Sequence, residues 1–505
     1  MTERVTRDVS VGLLPHQAAA EAGRCLYCYD APCVKGCPAG VDVPAFIRKV
    51  GSGNWRGAAR VIREANVFGG TCALVCPTEE LCERECSSRL LGGPISIGAL
   101  QRLAWERGTA GGGKAGAGRG SGAHLGAGVG GTASGGKRAA IVGAGPAGLS
   151  AAWELRSRGW DVTIYEATDR PGGQLDWTIP SYRLPPEVVA AEVGAIVATG
   201  VKLRTGVRVG REAAEGLLAE NDAVILATGL GGGRSGGLPG ESRPGVVGAE
   251  EFLARARESL TRARQGRSTR VTGTADTGGD LSGQRVVVVG GGNTAMDAAV
   301  TAAKGRATRV TVLYRRTARE MPAWPREYRG ALAAGAEFLW LVQPVAFEGE
   351  GTGEGAGKTE GGGQGAGATN GAVKAVRCVR MALGAPDASG RAAPRPIPGS
   401  EFTIEADLVV MALGQGPNQE IIEAFGLAAD KAGRPVVDPS GRAQVSAGAL
   451  PAGHVLKATV FVAGDLGNGG ATVVRAVAEG KRAARAAAGE LEQSAPREEA
   501  GSNGR

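Results

Sequence analysis

Residues 138–166 read RAAIVGAGPAGLSAAWELRSRGWDVTIYE. An apolar strand from Arg138 to Val142 runs into a turn with Gly143, Gly145 and Gly148, a helix follows, and the next strand ends on Glu166. In a G-x-G-x-x-G turn the first glycine makes the tight bend. The second lets the backbone approach a pyrophosphate, and the third lets helix and strand pack closely. The helix opens at Pro146 and Ala147, and its first N–H groups and positive dipole end favour bound phosphate. Glu166 stands where a carboxylate accepts hydrogen bonds from a ribose diol. The motif alone is weak evidence; its strand–turn–helix–strand setting predicts a dinucleotide-binding fold.

The pattern occurs a second time. Arg285–Val289 leads into GGGNTAMDAAVTAAKG and then RVTVLYRR, with Gly290, Gly292 and Ala295 in the accepted G-x-G-x-x-A variant and Asn293 and Thr294 opening the helix. Where the first copy has Glu166, the second has Tyr314, then Arg315 and Arg316. No carboxylate opposes a 2′-phosphate there and two guanidiniums are placed to clamp it, so NADPH is expected in preference to NADH. Short strands that end in glycine follow each copy, AVILATG to Gly229 and DLVVMALG to Gly414. Near the C-terminus VFVAGD, with Gly464 and Asp465, precedes an alanine-rich helix that begins near Thr472.

The expected class is therefore α/β, with two Rossmann-like domains, the second inserted in the first. The expected ranges are 138–250 and 415–490 for the outer domain and 282–414 for the inner one. In split two-domain flavoproteins, which this arrangement resembles, the returning aspartate lies beside the first loop and holds the ribityl or phosphate region of FAD. The stretch Gly172, Gly173, Gln174, Leu175 resembles the P-G-G-Q-L segment that passes the flavin in that superfamily. Both resemblances point to FAD in the outer domain.

Ahead of these loops, residues 1–107 carry eight of the nine cysteines. The first run is Cys25, Cys28, Cys33, Cys37 followed by Pro38; the second is Cys76 followed by Pro77, then Cys82 and Cys86, with Gln101 fifteen residues on. In bacterial ferredoxins the last cysteine of one run, followed by proline, ligates the other run's cluster, so the spacing hints at crossed ligation of two iron–sulfur clusters. Structural zinc is the rival, but it favours two C-x2-C pairs, and here there is one. Cys72 is an extra thiol four residues before Cys76, and Cys378, in a strand-like segment, reads as a small buried hydrophobe. Helices are expected over Pro44–Arg63 and Ile97–Arg107.

Glycine-rich tracts interrupt the pattern. Residues 108–137 form a flexible linker with almost nothing to bury. Similar stretches occur at 230–245, 261–284 and 349–371, the last expected between two strands, and 491–505 is expected to be a disordered tail. The N-terminus MTERVTRDVS lacks the apolar core of a secretory signal, and clustered cysteines without an export signal read as reduced ligands, so a cytoplasmic location is expected. No apolar run approaches the ~20 residues that span a bilayer. The net charge of +8 is spread over scattered arginines, without an aromatic RNA-binding stripe, so neither membrane nor nucleic acid is an expected partner. The three histidines, His16, His124 and His454, read as solvated loop residues.

With these segments quoted, above all RCLYCYDAPCVKGCPAG, GGTCALVCPTEELCERECSSR, GPISIGALQRLAWE and IPSYRLP, the chain resembles the flavin-subunit family. That family includes the small subunit of glutamate synthase and the N-terminal half of dihydropyrimidine dehydrogenase, and the pyrimidine branch is the nearer likeness. The resemblance implies one [4Fe-4S] cluster on Cys25, Cys28, Cys33 and Cys86. It implies a second on Cys37, Cys76, Cys82 and Gln101, an amide ligand used in pyrimidine enzymes, or on Cys72 in place of Gln101. It places Arg183 of the YRLP segment near the flavin, and the helix from Thr472 with its positive end toward the reduced ring. It also implies hydride transfer from NAD(P)H to FAD, with no obligatory side-chain acid or base, and onward transfer through the clusters. The acceptor would be a partner subunit holding FMN or iron–sulfur centres, in a hetero-oligomer. The long glycine-rich insertions are not a trait of that family, and YRRTAREMPAWPREY looks more like its NADPH-using members. A non-enzymatic nucleotide-binding redox sensor is the alternative from another class.

Overall fold

The computed structural model describes residues 12–109, 136–264, 279–349, 371–387, 390–446 and 457–494. The linker apart from its edges, most of the tracts at 261–284 and 349–371, His124, His454 and residues 495–505 lie outside the described residues. The chain divides into two units.

The first unit comprises residues 1–176, 182–231 and 417–505. Its N-terminal part is helical, with Pro15–Gly23, Val43–Gly51, Trp55–Ala65, Gly69–Val75 and Ile97–Thr109 around a core of Phe46, Ile47, Ile62 and Leu100. The single helix expected over Pro44–Arg63 is in fact two. Gly53 takes a φ of 72° and interrupts the first, and the Asn54 side chain accepts from the Gly57 N–H at 2.9 Å and caps the second. A five-stranded parallel sheet follows, in the order Thr459–Val462, Ala223–Leu226, Arg138–Val142, Asp161–Tyr165, Lys202–Arg204. Strand succession reverses beside Arg138–Val142, so the crevice of this sheet opens at Gly143.

The second unit comprises residues 177–181 and 232–416. Its parallel sheet has the order Val246–Gly248, Leu408–Met411, Arg285–Val289, Arg309–Tyr314, Glu337–Trp340. A separate antiparallel sheet is built on Val373–Pro386, which pairs with Val342–Gly349, Ala392–Pro396 and Phe402–Glu405. Val373 faces Gly349 across one pair, so the tract between them joins neighbouring antiparallel strands. Chain crossover comes at Gly232 and not at 250, because Val246–Gly248 pairs with Leu408–Met411. The glycine-rich stretch at 230–245 is organised around one carboxylate: Glu241 accepts from the Gly236 N–H at 2.9 Å, the Leu238 N–H at 3.1 Å and the Ser235 hydroxyl at 3.0 Å. Cys378 is fully buried in the antiparallel sheet.

Candidate cofactor sites

The first glycine loop is shaped by contacts that admit no side chain. Gly143 has a φ of 105°, and a Cβ there would lie 2.4 Å from the Ala227 carbonyl oxygen; a Cβ at Gly148 would lie 2.0 Å from the Gly143 carbonyl oxygen. A Cβ on Gly145 would meet nothing within 4 Å, which is the open approach a pyrophosphate requires. Pro146 and Ala147 begin the helix Pro146–Ser157. Glu166 is nearly buried and turned onto the loop: one carboxylate oxygen accepts from the Ala144 N–H at 2.8 Å, the other from the Thr168 N–H at 2.9 Å and hydroxyl at 2.8 Å. A carboxylate has about four acceptor positions, so capacity for a ribose hydroxyl remains.

Two distant segments close on this loop. Gly173 has a φ of 55°, and a Cβ there would lie 3.0 Å from Gly145 Cα, while the Gly172 N–H donates to the Ala144 carbonyl at 2.8 Å. Gln174 and Leu175 start the next short helix, Leu175 buried, and Arg183 is half-buried beyond it. From the C-terminal side, Gly464 has a φ of 72° and would place a Cβ 2.9 Å from that of Ala147. Asp465 accepts from the Ala471 N–H at 3.1 Å; burial pushes its carboxyl up, and neighbouring Glu479 pushes the same way. Thr472 caps the helix Val473–Ser494 through its hydroxyl, which accepts from the Arg475 N–H at 3.2 Å. That helix lies directly on Pro146–Ser157, because a Cβ at Gly480 would stand 2.1 Å from the Ala147 carbonyl oxygen.

The second loop has the same construction. Gly290, with a φ of 141°, abuts the Ala412 carbonyl at 2.3 Å from an added Cβ; Gly292 is open, and Ala295 is buried. Sequence reading passed over Gly291, whose added Cβ would meet the Tyr314 ring at 2.5 Å. Asn293 accepts from the Trp324 N–H at 2.9 Å, Thr294 follows it in the helix, and the exposed Gly414 accepts from the Arg234 N–H at 2.8 Å. The expected pair of free guanidiniums is not present. Arg316 is buried, donating to the Asp387 carboxylate at 2.5 Å and the Ala392 carbonyl at 2.8 Å, which ties the loop to the antiparallel sheet; Arg315 alone is exposed.

The cysteine runs interleave in space. Burial raises the Cys25 and Cys33 thiols, Cys33 to about 11, and Cys86 acts electrostatically on both, as does Cys28 on Cys25. Burial pushes the Cys82 thiol well up, and neighbouring Glu83, Cys37 and Cys33 act in the same direction. The last cysteine of the second run thus stands with the first run, and Cys37 stands near Cys82. Cys76 follows the helix Gly69–Val75. Gln101 donates through its amide nitrogen to the Gly69 carbonyl at 2.7 Å. Cys72 is buried and hydrogen-bonded to the Asn66 side chain. Among the described residues no three His, Cys, Asp or Glu side chains converge as a single metal ion would need. The buried Thr78 hydroxyl, two residues after Cys76, has no protein partner, as a group facing a cluster would.

Sequence reading missed what joins the cysteine module to the flavin-type sheet. Glu192, buried on the helix Pro186–Val197, accepts from the Gly70 N–H at 2.7 Å and from the Thr71 N–H and hydroxyl, the latter at 2.5 Å. Lys481 donates to the Ala65 carbonyl at 2.7 Å. Neither residue belongs to a motif, so no local signal distinguishes it from a surface charge.

Comparison with known proteins fits this division. Residues 137–480 match the model of the pyridine nucleotide-disulphide oxidoreductases. The chain belongs to that family. Residues 2–112 match the model described as dihydropyrimidine dehydrogenase domain II, 4Fe-4S cluster. The beta subunit of an NADP(+)-dependent formate dehydrogenase from Moorella thermoacetica is 36% identical over 90% of the chain, which spans 59% of that relative's length. The small chain of glutamate synthase [NADPH] from Azospirillum brasilense is 33% identical over 93% of the chain and 88% of the relative. A subunit of the NAD-dependent dihydropyrimidine dehydrogenase of Escherichia coli K12 is 37% identical over 66% of the chain and 73% of the relative. The chain is thus an oxidoreductase of the FAD and NAD(P) type with a 4Fe-4S module. No helix among the described residues is long and apolar enough to cross a membrane.

Proposed function

We propose that this chain is an electron-input subunit that oxidises NADPH and delivers the electrons to a partner subunit, in a reduction of the dihydropyrimidine dehydrogenase type. When bound, NADPH would supply hydride-donor chemistry, FAD the conversion of an electron pair into single electrons, and two [4Fe-4S] clusters a one-electron relay. The chain's own residues bind, orient and insulate. Gly143, Gly145 and Gly148 with the helix from Pro146 hold the flavin pyrophosphate, Glu166 the ribose, and Asp465 with Gly464 the returning side of the site. Gly290, Gly292 and Ala295 hold the second dinucleotide, with Arg315 as the free cation for a 2′-phosphate. Arg183 and the Thr472-capped helix are assigned to the flavin ring. The first cluster is assigned to Cys25, Cys28, Cys33 and Cys86.

The second cluster is assigned to Cys37, Cys76, Cys82 and Gln101. The Gln101 amide nitrogen is committed to Gly69, which leaves the amide oxygen as ligand atom, and Cys72, which lies near Cys37, is the alternative fourth ligand. The observation that carries the reading is the closeness of the two runs: Cys86 acts on Cys25 and Cys33, both Cys37 and Cys33 act on Cys82, and Cys37 acts on Cys72. The family match of residues 2–112 favours the pyrimidine type. A second reading, the small chain of a glutamate synthase, draws on the 88% coverage of that relative.

The test is anaerobic purification of the full chain with flavin and iron analysis, then titration with NADPH and NADH. One FAD and about eight irons per chain, bleached by NADPH, is the expected result. The purified native complex is then offered uracil, or glutamine with 2-oxoglutarate. NADPH oxidation that depends on uracil supports the pyrimidine type, and dependence on glutamine and 2-oxoglutarate replaces it with the second reading. Nucleotide binding without NADPH-dependent dye reduction would leave a redox-sensing module.

A further inference from the structure

The three most exposed large apolar side chains among the described residues gather beside the first set of cysteines, and Leu26 joins them. Tyr29 is fully exposed, Leu90 and Leu91 are 85% and 73% exposed, and Leu26 is half exposed. They lie on two segments that three contacts hold together. The Arg24 guanidinium donates to the Gly93 carbonyl at 2.7 Å, the Ser88 hydroxyl donates to the Arg24 carbonyl at 3.2 Å, and the Cys28 sulfur stands 3.5 Å from the Ser87 hydroxyl oxygen. The loop carrying Leu26 and Tyr29 includes Cys25 and Cys28, and the turn carrying Leu90 and Leu91 follows Cys86 directly.

The loop is held firmly enough to present a fixed surface. Tyr27, between Leu26 and Cys28, has a φ of 50°, which is uncommon for a bulky side chain, and the Arg48 guanidinium lies 4.8 Å from its ring centroid. The buried core of this module is made by other residues, among them Phe46, Ile47 and Leu100. Contiguous exposed apolar side chains on a soluble domain mark an interaction surface. Along its edge the exposed cations Arg24, Lys35 and Arg89 outnumber the exposed Asp30, with Arg24 paired to buried Glu21 at 2.8 Å and Lys35 paired to Asp30 at 2.5 Å, in a chain of net charge +8.

We propose that the surface formed by Leu26, Tyr29, Leu90 and Leu91, with Arg24 and Arg89 at its rim, is where the electron-accepting partner docks. That partner is a redox protein presenting an apolar centre with an acidic rim over its own iron–sulfur or flavin group. The assignment rests on the electron-input reading above. Electrons leave through Cys25, Cys28 or Cys86 with little protein in between, and the apolar contact excludes water from the gap. The arginines guide an acidic partner into register, which makes the encounter salt-sensitive. Each electron passed oxidises the chain's cluster by one and reduces the partner's centre by one, with no atom transferred.

The test uses the full chain in native cells, with a photo-crosslinking amino acid at position 29 or 90 and, as control, at the exposed Leu383 of the other unit. Support is a covalent product at 29 and 90, absent at 383, with a protein that carries iron or flavin when purified. Leu90→Glu with Leu91→Glu should then lower electron transfer to that protein at least tenfold, with NADPH-dependent ferricyanide reduction unchanged. Cross-links to residues 1–11 or 110–135 of the same chain, to a second copy, or to nothing overturn the docking surface. So does a double variant that transfers electrons at the original rate. If the unaltered chain does not reduce ferricyanide with NADPH, it is the electron-input reading that fails.

Discussion

Glu192 makes the stability of the junction between the cysteine module and the flavin-type sheet depend on pH. Burial lifts its carboxyl from 4.5 to about 7, against the opposing pull of Thr71, Gly70 and the neighbouring Arg63. The folded state therefore holds a proton that the opened state releases between these two values. Stability is greatest below about pH 4.5 and is lost as the pH rises through about 7. Between pH 5.5 and pH 8 the loss is on the order of 2 kcal/mol, roughly 25-fold in the opening equilibrium. The perturbation is Glu192→Gln, which keeps an oxygen to accept from Gly70 and Thr71 and has nothing to titrate. Amide exchange over residues 66–76, read by mass spectrometry and corrected for the intrinsic rate, measures the opening of the helix Gly69–Val75. The unaltered protein should lose protection roughly 25-fold over that pH range, and the glutamine variant should lose less than about threefold. Equal pH slopes in the two proteins would refute the reasoning, since the titrating group would then lie elsewhere.

Gly148→Ala and Gly480→Ala each insert a methyl about 2 Å from a carbonyl oxygen, and overpacking of that kind costs about 1–3 kcal/mol or more; both variants should melt lower, with Gly148→Ala also losing FAD on gel filtration. Arg315→Ala should cut kcat/KM for NADPH about tenfold and leave NADH nearly untouched. Arg316→Ala should instead lower the melting temperature by breaking its bonds to Asp387 and Ala392, with the ratio of the two cofactors unchanged. Gln101→Ala should purify with roughly half the iron of the parent protein, while Cys72→Ser keeps the full amount, measured by iron analysis and by electron paramagnetic resonance of the reduced protein.

The two glycine loops were legible because dinucleotide binding constrains successive positions of one short segment: Gly143, Gly145 and Gly148 all act within a single turn. The same locality made the cysteine spacing legible. Arg316 shows the limit. Its sequence position promised a free cation, but its environment is set by Asp387 and Ala392, more than seventy residues away. The helix break at Gly53 and Asn54 was written locally, yet it was hidden by apolar spacing that runs through it. The crossover at Gly232 could not be read, because Val246–Gly248 is only three residues long and declares its sheet solely by pairing with Leu408–Met411.

By itself the sequence determined what is carried by backbone geometry and ligand spacing over a few residues: two dinucleotide loops, two interleaved cysteine runs and an inserted domain. The tertiary structure alone decided what depends on groups remote in the chain. It buried Glu192 against the N-terminus of Gly69–Val75, placed Lys481 on Ala65, brought the Cys25 loop to the Cys86 turn and left Tyr29, Leu90 and Leu91 exposed. The physical reason is that a charge or an apolar side chain acquires its energy from its surroundings, and folding sets those surroundings.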